Sequence, residues 1–177
     1  MGKKTIRIEA PLDKAQVEKL KAGDEVLLSG TIFTARDQAH KKFVETIKKK
    51  GALPFEMRGA VIYYCGPTRT PQGRIIGSCG PTTSSRMDVF TPGLLIKGLT
   101  GIIGKGKRSP EVVKALKKHG GVYFLAYAGC GALISRYIKE SRIIAYKELG
   151  PEAVRRLKVK DLPLIVAVDT RGNSIYG

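Results

Sequence analysis

The sequence predicts an α/β domain in which strands and helices are interspersed and the pairing of strands is mixed. Short runs rich in Val, Leu, Ile and Thr, such as 25–33, or almost wholly aliphatic, such as 164–168, indicate strands, and the apolar spacing within 34–51 indicates a helix. A length of 177 residues with 42% hydrophobic residues suits one domain with a substantial core. We therefore expect a single domain over residues 1–177.

In the first half of the chain, glycines and prolines separate the predicted elements. The helix after the second strand is expected to have Thr34 as its N-cap, Asp37 in its first turn and Gly51 at its end. A further helix should begin near residues 82–84 and run on to a break or kink around Pro92. The predicted elements are strand 5–9, helix 13–21, strand 25–33, helix 34–51, strands 60–64 and 74–77, and the helix that begins at 82–84.

In the second half, Ser109 followed by Pro110 is a strong helix start, because proline is favoured at the first helical position. Gly120 and Gly121 end that helix. The run 122–127 is almost wholly apolar, which is typical of a strand buried on both faces. The predicted elements are strand 100–103, helix 109–119, strand 122–127, helix 129–138, strand 142–146, helix 152–157, strand 164–168 and a terminal hairpin turn at 171–173.

The chain is strongly basic, with 32 Lys and Arg residues against 15 Asp and Glu and a formal net charge of +17. Such a charge attracts anions of any kind, including nucleic acid. The basic runs fall on predicted helix faces, however, where a solvated face is the simpler interpretation. The sequence has no apolar signal segment and no apolar run of the ~20 residues that span a bilayer, so we expect a soluble, cytoplasmic protein without membrane association.

Three cysteines, Cys65, Cys79 and Cys130, match no zinc or ferredoxin spacing. We expect neither a disulfide framework nor a metal site formed by this chain alone. The tripeptide Cys-Gly-Pro occurs at Cys65 and again at Cys79, and the simplest interpretation is two similar turns at one end of the domain. If metal chemistry takes place here, another chain supplies the metal.

The segment around Arg36 is the first of three candidate anion sites. Arg36 and His40 share the helical face that continues into Phe43, so both are expected to face inward. An arginine at a helix start is opposed by the positive end of the macrodipole and requires an anion. That anion is either the neighbouring Asp37 or the carboxylate of a ligand, which a guanidinium binds through two hydrogen bonds. For His40 alone, a buried and hydrogen-bonded ring is the simpler interpretation.

The second candidate site is a run of four hydroxyl residues at a predicted helix start, with Arg86 one turn further on. The four residues are Thr82, Thr83, Ser84 and Ser85. We expect at least two of these hydroxyls simply to cap the helix. The same arrangement also predicts an anion site, because free backbone N–H groups, hydroxyls and a guanidinium converge there.

The third candidate site is the loop in which Lys105 lies between two glycines, before the helix start at Ser109. The backbone can approach an anion closely at such glycines, but the loop has no Walker spacing and no strong dinucleotide fingerprint. The sequence shows no Ser-His-Asp grouping, close carboxylate pair or metal-ligand set. Three anion sites without such a group predict a clamp that depends on a partner for part of its chemistry.

Together these segments resemble the beta subunit of class I fumarases and L-tartrate dehydratases, which is equivalent to the C-terminal domain of the fused enzymes. The long stretch Gly-Ser-Cys-Gly-Pro-Thr-Thr-Ser-Ser-Arg-Met-Asp at 77–88 is specific. The resemblance covers most of the chain in order, at residues 23–24, 29–31, 34–37, 40, 64–67, 77–88, 104–106 and 168–174. It implies a swivelling β/β/α domain and a hydro-lyase that is active only with its alpha subunit.

The resemblance also implies roles for individual residues. The expected substrate-binding residues are Arg36, Arg86, Lys105, Thr83 and His40. Thr82 is the expected catalytic base for the proton on substrate C3, and Arg36 is expected to stabilise its alkoxide. Thr82 is preferred to Thr83 because it stands four residues before Arg86. Thr83 remains the alternative catalytic base.

The implied partner is an alpha subunit that carries a four-iron, four-sulfur cluster on three cysteines of its own, while this chain alone binds no cofactor. The implied substrate is a small dicarboxylate. It is either fumarate, hydrated reversibly to malate, or L-tartrate, and the sequence does not separate the two. A basic nucleic-acid-binding module is an alternative that the charge favours and the lack of a stacking platform opposes. A purely structural or regulatory subunit is another.

Overall fold

The computed structural model describes residues 5–177, which contain seven β-strands and five α-helices. The strands are β1 (Ile6–Ala10), β2 (Glu25–Thr34), β3 (Val61–Tyr63), β4 (Gly101–Gly104), β5 (Val122–Leu125), β6 (Ile138–Ala145) and β7 (Val154–Val168). The helices are α1 (Lys14–Val17), α2 (Asp37–Lys48), α3 (Thr91–Ile96), α4 (Pro110–His119) and α5 (Gly131–Ile134). Short 3₁₀ helices cover Ser84–Met87, Ser135–Tyr137 and Lys147–Glu152. The predicted α/β class is confirmed.

The strands form one mixed sheet that closes on itself. Neighbouring strands from β1 to β5 run parallel, and β7 runs antiparallel beside both β5 and β2. The ring β2–β3–β4–β5–β7 is therefore a closed barrel, to which β1 and β6 add as further strands. Because β2 to β5 are parallel, their carboxyl ends share one edge, called here the carboxyl edge.

Strands β3, β4 and β5 are buried on both faces, so side chains that point to opposite sides of a strand enter different apolar clusters. On β3, Val61 and Tyr63 belong to one apolar cluster, whereas Ile62 belongs to a second cluster that includes Phe43 of α2. Residues 122–124 of β5 are fully buried, as their apolar run predicts. This packing places the starts of α2 and α4 beside the carboxyl edge, since each follows a barrel strand.

Some predicted elements differ from the structure because long-range pairing overrides the local pattern. Residues 74–77 form no strand. Residues 152–157, predicted as a helix, lead into the start of β7, where they pair with both β2 and β6. The predicted helix 129–138 is only α5 and a 3₁₀ turn, and the next strand already begins at Ile138.

The helix predicted to start near residues 82–84 is instead a 3₁₀ turn, Ser84–Met87, followed by the separate helix α3. Pro92 lies in the first turn of α3, where it starts a helix rather than kinking one. The predicted terminal turn is present, but it joins Val168 to Ser174 through a single antiparallel bridge. Across residues 5–177, no helix is long and apolar enough to cross a membrane.

Candidate active site at the carboxyl edge

The predicted site segments meet at the carboxyl edge, because each follows a parallel strand. Arg36 lies two residues after β2, and Lys105 directly follows β4. Gly66 lies in the loop after β3. The carboxyl ends of parallel strands are the usual position of ligand sites in α/β folds.

The hydroxyl-rich segment is joined to this edge by backbone hydrogen bonds. The N–H of Thr82 donates to the Tyr64 carbonyl at 2.6 Å, and the N–H of Ser84 donates to the Lys105 carbonyl at 3.0 Å. Thr83 and Lys105 also form a parallel bridge. The structure therefore brings Thr82, Thr83 and Lys105 together. The backbone N–H groups of Thr82 and Ser84 are thus already paired, although the sequence predicts that N–H groups of this segment bind an anion.

The expectation that at least two of the four hydroxyls cap a helix is wrong. Thr83 is the N-cap of the 3₁₀ turn, but its side chain makes no capping bond. Ser84 is buried, and its Oγ accepts hydrogen bonds from the Lys105 N–H at 3.1 Å and the Tyr123 hydroxyl at 2.9 Å. Thr82 is half-buried and Thr83 is exposed, and neither hydroxyl forms a hydrogen bond within residues 5–177. Both hydroxyls are therefore available to a ligand.

The N-cap of α2 is Arg36, not Thr34. Thr34 is the last residue of β2 and is buried against β7. Its Oγ1 donates to the Ala153 carbonyl at 3.4 Å and accepts from the Arg155 N–H at 3.1 Å. The prediction of Thr34 as the cap was wrong because these strand contacts, invisible in the local sequence, occupy its hydroxyl.

The guanidinium of Arg36 lies between two carboxylates. Its Nη2 is 3.6 Å from Glu152 Oε1, and its Nε is 3.9 Å from Asp37 Oδ2. Asp37 is thus confirmed as one partner, and Glu152 is a second partner that the local pattern did not predict. Gly66 provides the space, because a Cβ at that position would come within 2.9 Å of Arg36 Nη1.

Arg86 contacts the other oxygen of the same carboxylate. Its Nε donates to Asp37 Oδ1 at 3.0 Å, with 51% of the Arg86 side chain and 18% of the Asp37 side chain exposed. Asp37 therefore links the two arginines of the predicted clamp. The Nη groups of Arg86 have no hydrogen-bond partner in residues 5–177, and in the same range Lys105 has no ion pair. These cationic groups remain free to bind an anion.

His40 lies behind Arg36 and has no exposed surface. Its Nδ1 donates to the Arg36 carbonyl at 2.8 Å, and its ring packs against Tyr64 and Phe90. Burial lowers the pKa of His40 to about 4, so the imidazole is neutral near pH 7. The interpretation of His40 as a buried, hydrogen-bonded histidine is confirmed.

A buried ion pair occupies the third predicted anion site. Arg108 donates from Nε to Asp88 Oδ1 at 2.7 Å and from Nη2 to Thr91 Oγ1 at 2.8 Å. Asp88 Oδ2 accepts from the Ser109 N–H at 2.7 Å, which places a carboxylate of the chain itself at the start of α4. The sequence predicts this helix start correctly but not its occupant. Within this loop, the Lys105 side chain remains available to bind an anion.

Cys65 and Cys79 meet in the core, with their Sγ atoms 2.8 Å apart. The two Cys-Gly-Pro turns therefore lie side by side, as expected for similar turns at one end of the domain. The contact with Cys79, together with burial, raises the pKa of the Cys65 thiol. In the described part of the chain, no group of three His, Cys, Asp or Glu residues is placed to hold a metal ion.

Cavity volume does not locate the site. A cavity of about 1050 Å³ lies at the opposite edge of the sheet, beside Arg58 and Lys117, and none of the predicted site residues lines it. A pocket of about 290 Å³ at the carboxyl edge is bordered by Lys105, Tyr127 and Tyr176. The predicted cations therefore lie along an open edge rather than inside a closed cavity of this chain.

The sequence of this chain matches a known protein family along its whole length. The model of the fumarase C-terminus family matches residues 1–177. The chain belongs to this family. Its relatives include fumarate hydratase 2 of Leishmania major, with 39% identity over 97% of the chain, and the aerobic class I fumarate hydratase of Escherichia coli (strain K12), with 38% over 92%. The resemblance read from the motifs is thereby confirmed.

A third relative of this fumarase C-terminus chain is the putative L(+)-tartrate dehydratase subunit beta of Methanocaldococcus jannaschii, which is 43% identical over 93% of the chain. The alignments differ in how much of each relative they cover. The chain spans 31% and 30% of the two fumarate hydratases, but 88% of the tartrate dehydratase subunit. It is therefore equivalent to about a third of the former proteins and to most of the latter.

Proposed function

We propose that this chain is the beta subunit of a class I fumarate hydratase, a hydro-lyase that adds water reversibly to fumarate to give malate. The observation that supports this proposal is the set of cations along the carboxyl edge beside two unoccupied threonine hydroxyls. Arg36, Arg86 and Lys105 would bind the substrate carboxylates through charge-assisted hydrogen bonds. Thr83, which is paired with Lys105, would contribute a hydroxyl to the same binding surface.

Thr82 is the proposed group that moves the proton at substrate C3. During hydration its hydroxyl would give a proton to C3 while a water molecule adds its hydroxyl group to the other alkene carbon. The proton that this water releases would restore the Thr82 hydroxyl, and dehydration would reverse these steps. A threonine alkoxide requires a nearby cation, for which we propose Arg36. His40 would act indirectly, because its neutral ring donates a hydrogen bond to the Arg36 carbonyl. Thr83 remains the alternative base.

We also propose an alpha subunit as the partner of this chain. The fumarate hydratase relatives are about three times as long as the segment they share with it, and the Methanocaldococcus protein is named as a subunit. The cysteines here do not form a ligand set, so we place a four-iron, four-sulfur cluster on the partner, where its iron would supply Lewis acidity to the substrate oxygens.

L-Tartrate dehydration is the second candidate. The observation that favours it is the alignment over 88% of the putative tartrate dehydratase subunit, which matches this chain in extent. The two reactions require the same carboxylate clamp and differ in the fit around the substrate hydroxyls. Activity with L-tartrate, and none with fumarate or malate, would decide for this candidate.

The test is to co-express the chain with its alpha subunit, purify the complex under anaerobic conditions and assay fumarate, malate and L-tartrate. Each charge-assisted hydrogen bond contributes ~1.5–3 kcal/mol, so Arg86→Ala should lower kcat/KM by roughly one to two powers of ten. Thr82→Ala should abolish turnover while the complex still assembles. Thr83→Ala, the matched comparison, removes a hydroxyl proposed only to bind substrate, so it should raise KM but keep kcat.

Three results would contradict the proposal. A wild-type complex without activity on any of the three dicarboxylates would exclude both candidate reactions. Unchanged KM and kcat in Arg86→Ala would exclude the clamp. Activity that survives in Thr82→Ala but is lost in Thr83→Ala would move the base by one residue.

A further inference from the structure

We propose that Asp37 is a positioning residue that directs the guanidinium of Arg86 toward the ligand, an inference that rests on the function proposed above. Asp37 is the first residue of α2, and its carboxylate is the contact shared by the two arginines of the clamp. Its Oδ1 accepts from Arg86 Nε, and its Oδ2 faces Arg36 Nε. No other acidic group within residues 5–177 contacts both arginines.

The geometry at Arg86 indicates that Asp37 orients the guanidinium rather than only neutralising its charge. Arg86 is a long side chain with half its surface exposed, so without an anchor it would sample many rotamers. Asp37 engages the Nε, and both Nη groups stay without a partner in residues 5–177. A guanidinium is a planar fork, and a carboxylate that holds it at Nε leaves the edge formed by the two Nη groups for a second carboxylate. The substrate carboxylate would therefore bind at that edge.

The anchoring carboxylate lies at the start of a helix. The Asp37 side chain is largely buried, and its position at the start of α2 places a negative charge at the positive end of the helix dipole. Its Oδ2 is buried without a hydrogen bond, 3.9 Å from Arg36 Nε. Among residues 5–177, the one short contact of this carboxylate is with Arg86.

A different role for Asp37 would be competition, in which its charge repels the substrate and occupies Arg86. The two roles predict different outcomes for two substitutions that remove the same charge. Asp37→Asn keeps an oxygen that can accept from Arg86 Nε, whereas Asp37→Ala has no acceptor. Positioning requires that the two variants differ. Competition requires that they bind substrate equally well, and both better than the wild type.

The experiment measures KM and kcat of the assembled complex for the wild type and both variants. One charge-assisted hydrogen bond corresponds to about tenfold in binding, so the KM of Asp37→Ala should exceed that of Asp37→Asn by about tenfold. We expect kcat to stay within about threefold, because a contact that serves binding in both the ground state and the transition state changes KM alone. Glu45→Ala removes an exposed acid from the same helix and should leave both constants unchanged.

A double-mutant cycle provides a readout that does not depend on the stability of Asp37→Ala alone. Arg86→Lys keeps the charge but lacks the planar fork with its Nε, so the ratio of the KM values of Asp37→Ala and Asp37→Asn should be smaller in that background. Equal KM values for Asp37→Ala and Asp37→Asn, or an undiminished effect in the Arg86→Lys background, would overturn this inference alone. An inactive wild-type complex would overturn the proposed function and this inference with it.

Discussion

Replacing His40 with asparagine tests how a single buried ring makes the stability of the chain depend on pH. In the folded chain, burial lowers the pKa of His40 from 6.5 to about 4. The unfolded chain therefore takes up this proton as the pH falls below about 6.5, and the folded chain does so only near 4. The free energy of unfolding that depends on the neutral ring is complete above about pH 6.5 and decreases as the pH falls toward 4.

The size of the effect follows from these two pKa values. Between about pH 7 and pH 5, the linkage relation gives a loss of about 2 kcal/mol in the free energy of unfolding of the wild type. Asparagine cannot titrate but retains an N–H that can donate to the Arg36 carbonyl. We therefore expect His40→Asn to be less stable than the wild type at neutral pH, but to lose about 2 kcal/mol less on acidification.

The assay is urea denaturation over this pH range, with His119→Asn as the matched control. His119 is an exposed histidine at the end of α4, so its replacement should leave the wild-type pH dependence intact. The difference between variants is informative because the other acidic and basic groups titrate equally in each. If His40→Asn shows the same loss of stability as the wild type, the ring does not remain neutral in the folded chain and the reasoning fails.

Two further substitutions test packing around the site. Gly66→Ala would place a Cβ 2.9 Å from Arg36 Nη1 and should lower kcat/KM of the proposed complex about tenfold. Gly80→Ala, in the second Cys-Gly-Pro turn, should have little effect because the nearest atom to its Cβ would be 3.7 Å away. Equal activities of the two variants would contradict the contact between Gly66 and Arg36. Arg108→Met should cost about 3–5 kcal/mol in urea denaturation, because it leaves Asp88 buried without its cation. Adding Asp88→Asn should recover part of that loss, and no recovery would contradict an unpaired charge as its cause.

Local patterns predict the elements whose boundaries depend on nearby residues. Helix α4 is predicted correctly because the Ser109 cap, Pro110 and the left-handed Gly120 act through the adjacent backbone. Strand β2, predicted at residues 25–33, agrees with Glu25–Thr34 to within one residue. Residues 152–157 are predicted incorrectly because their state depends on β2 and β6, which pair with them from distant parts of the chain. Pairing of that kind leaves no periodic signal in the segment itself.

For the site, the sequence by itself determined the family and the chemical groups, since the motifs contain Arg36, Arg86 and Lys105 regardless of how they are arranged. Only the tertiary structure decided which of these charges remain available. Asp37 contacts Arg86, and Asp88 pairs with Arg108 at the start of α4, because folding brings together charges that are far apart in the chain. An ion pair between distant residues leaves no pattern in the sequence around either residue, whereas a motif is itself a pattern of neighbouring residues.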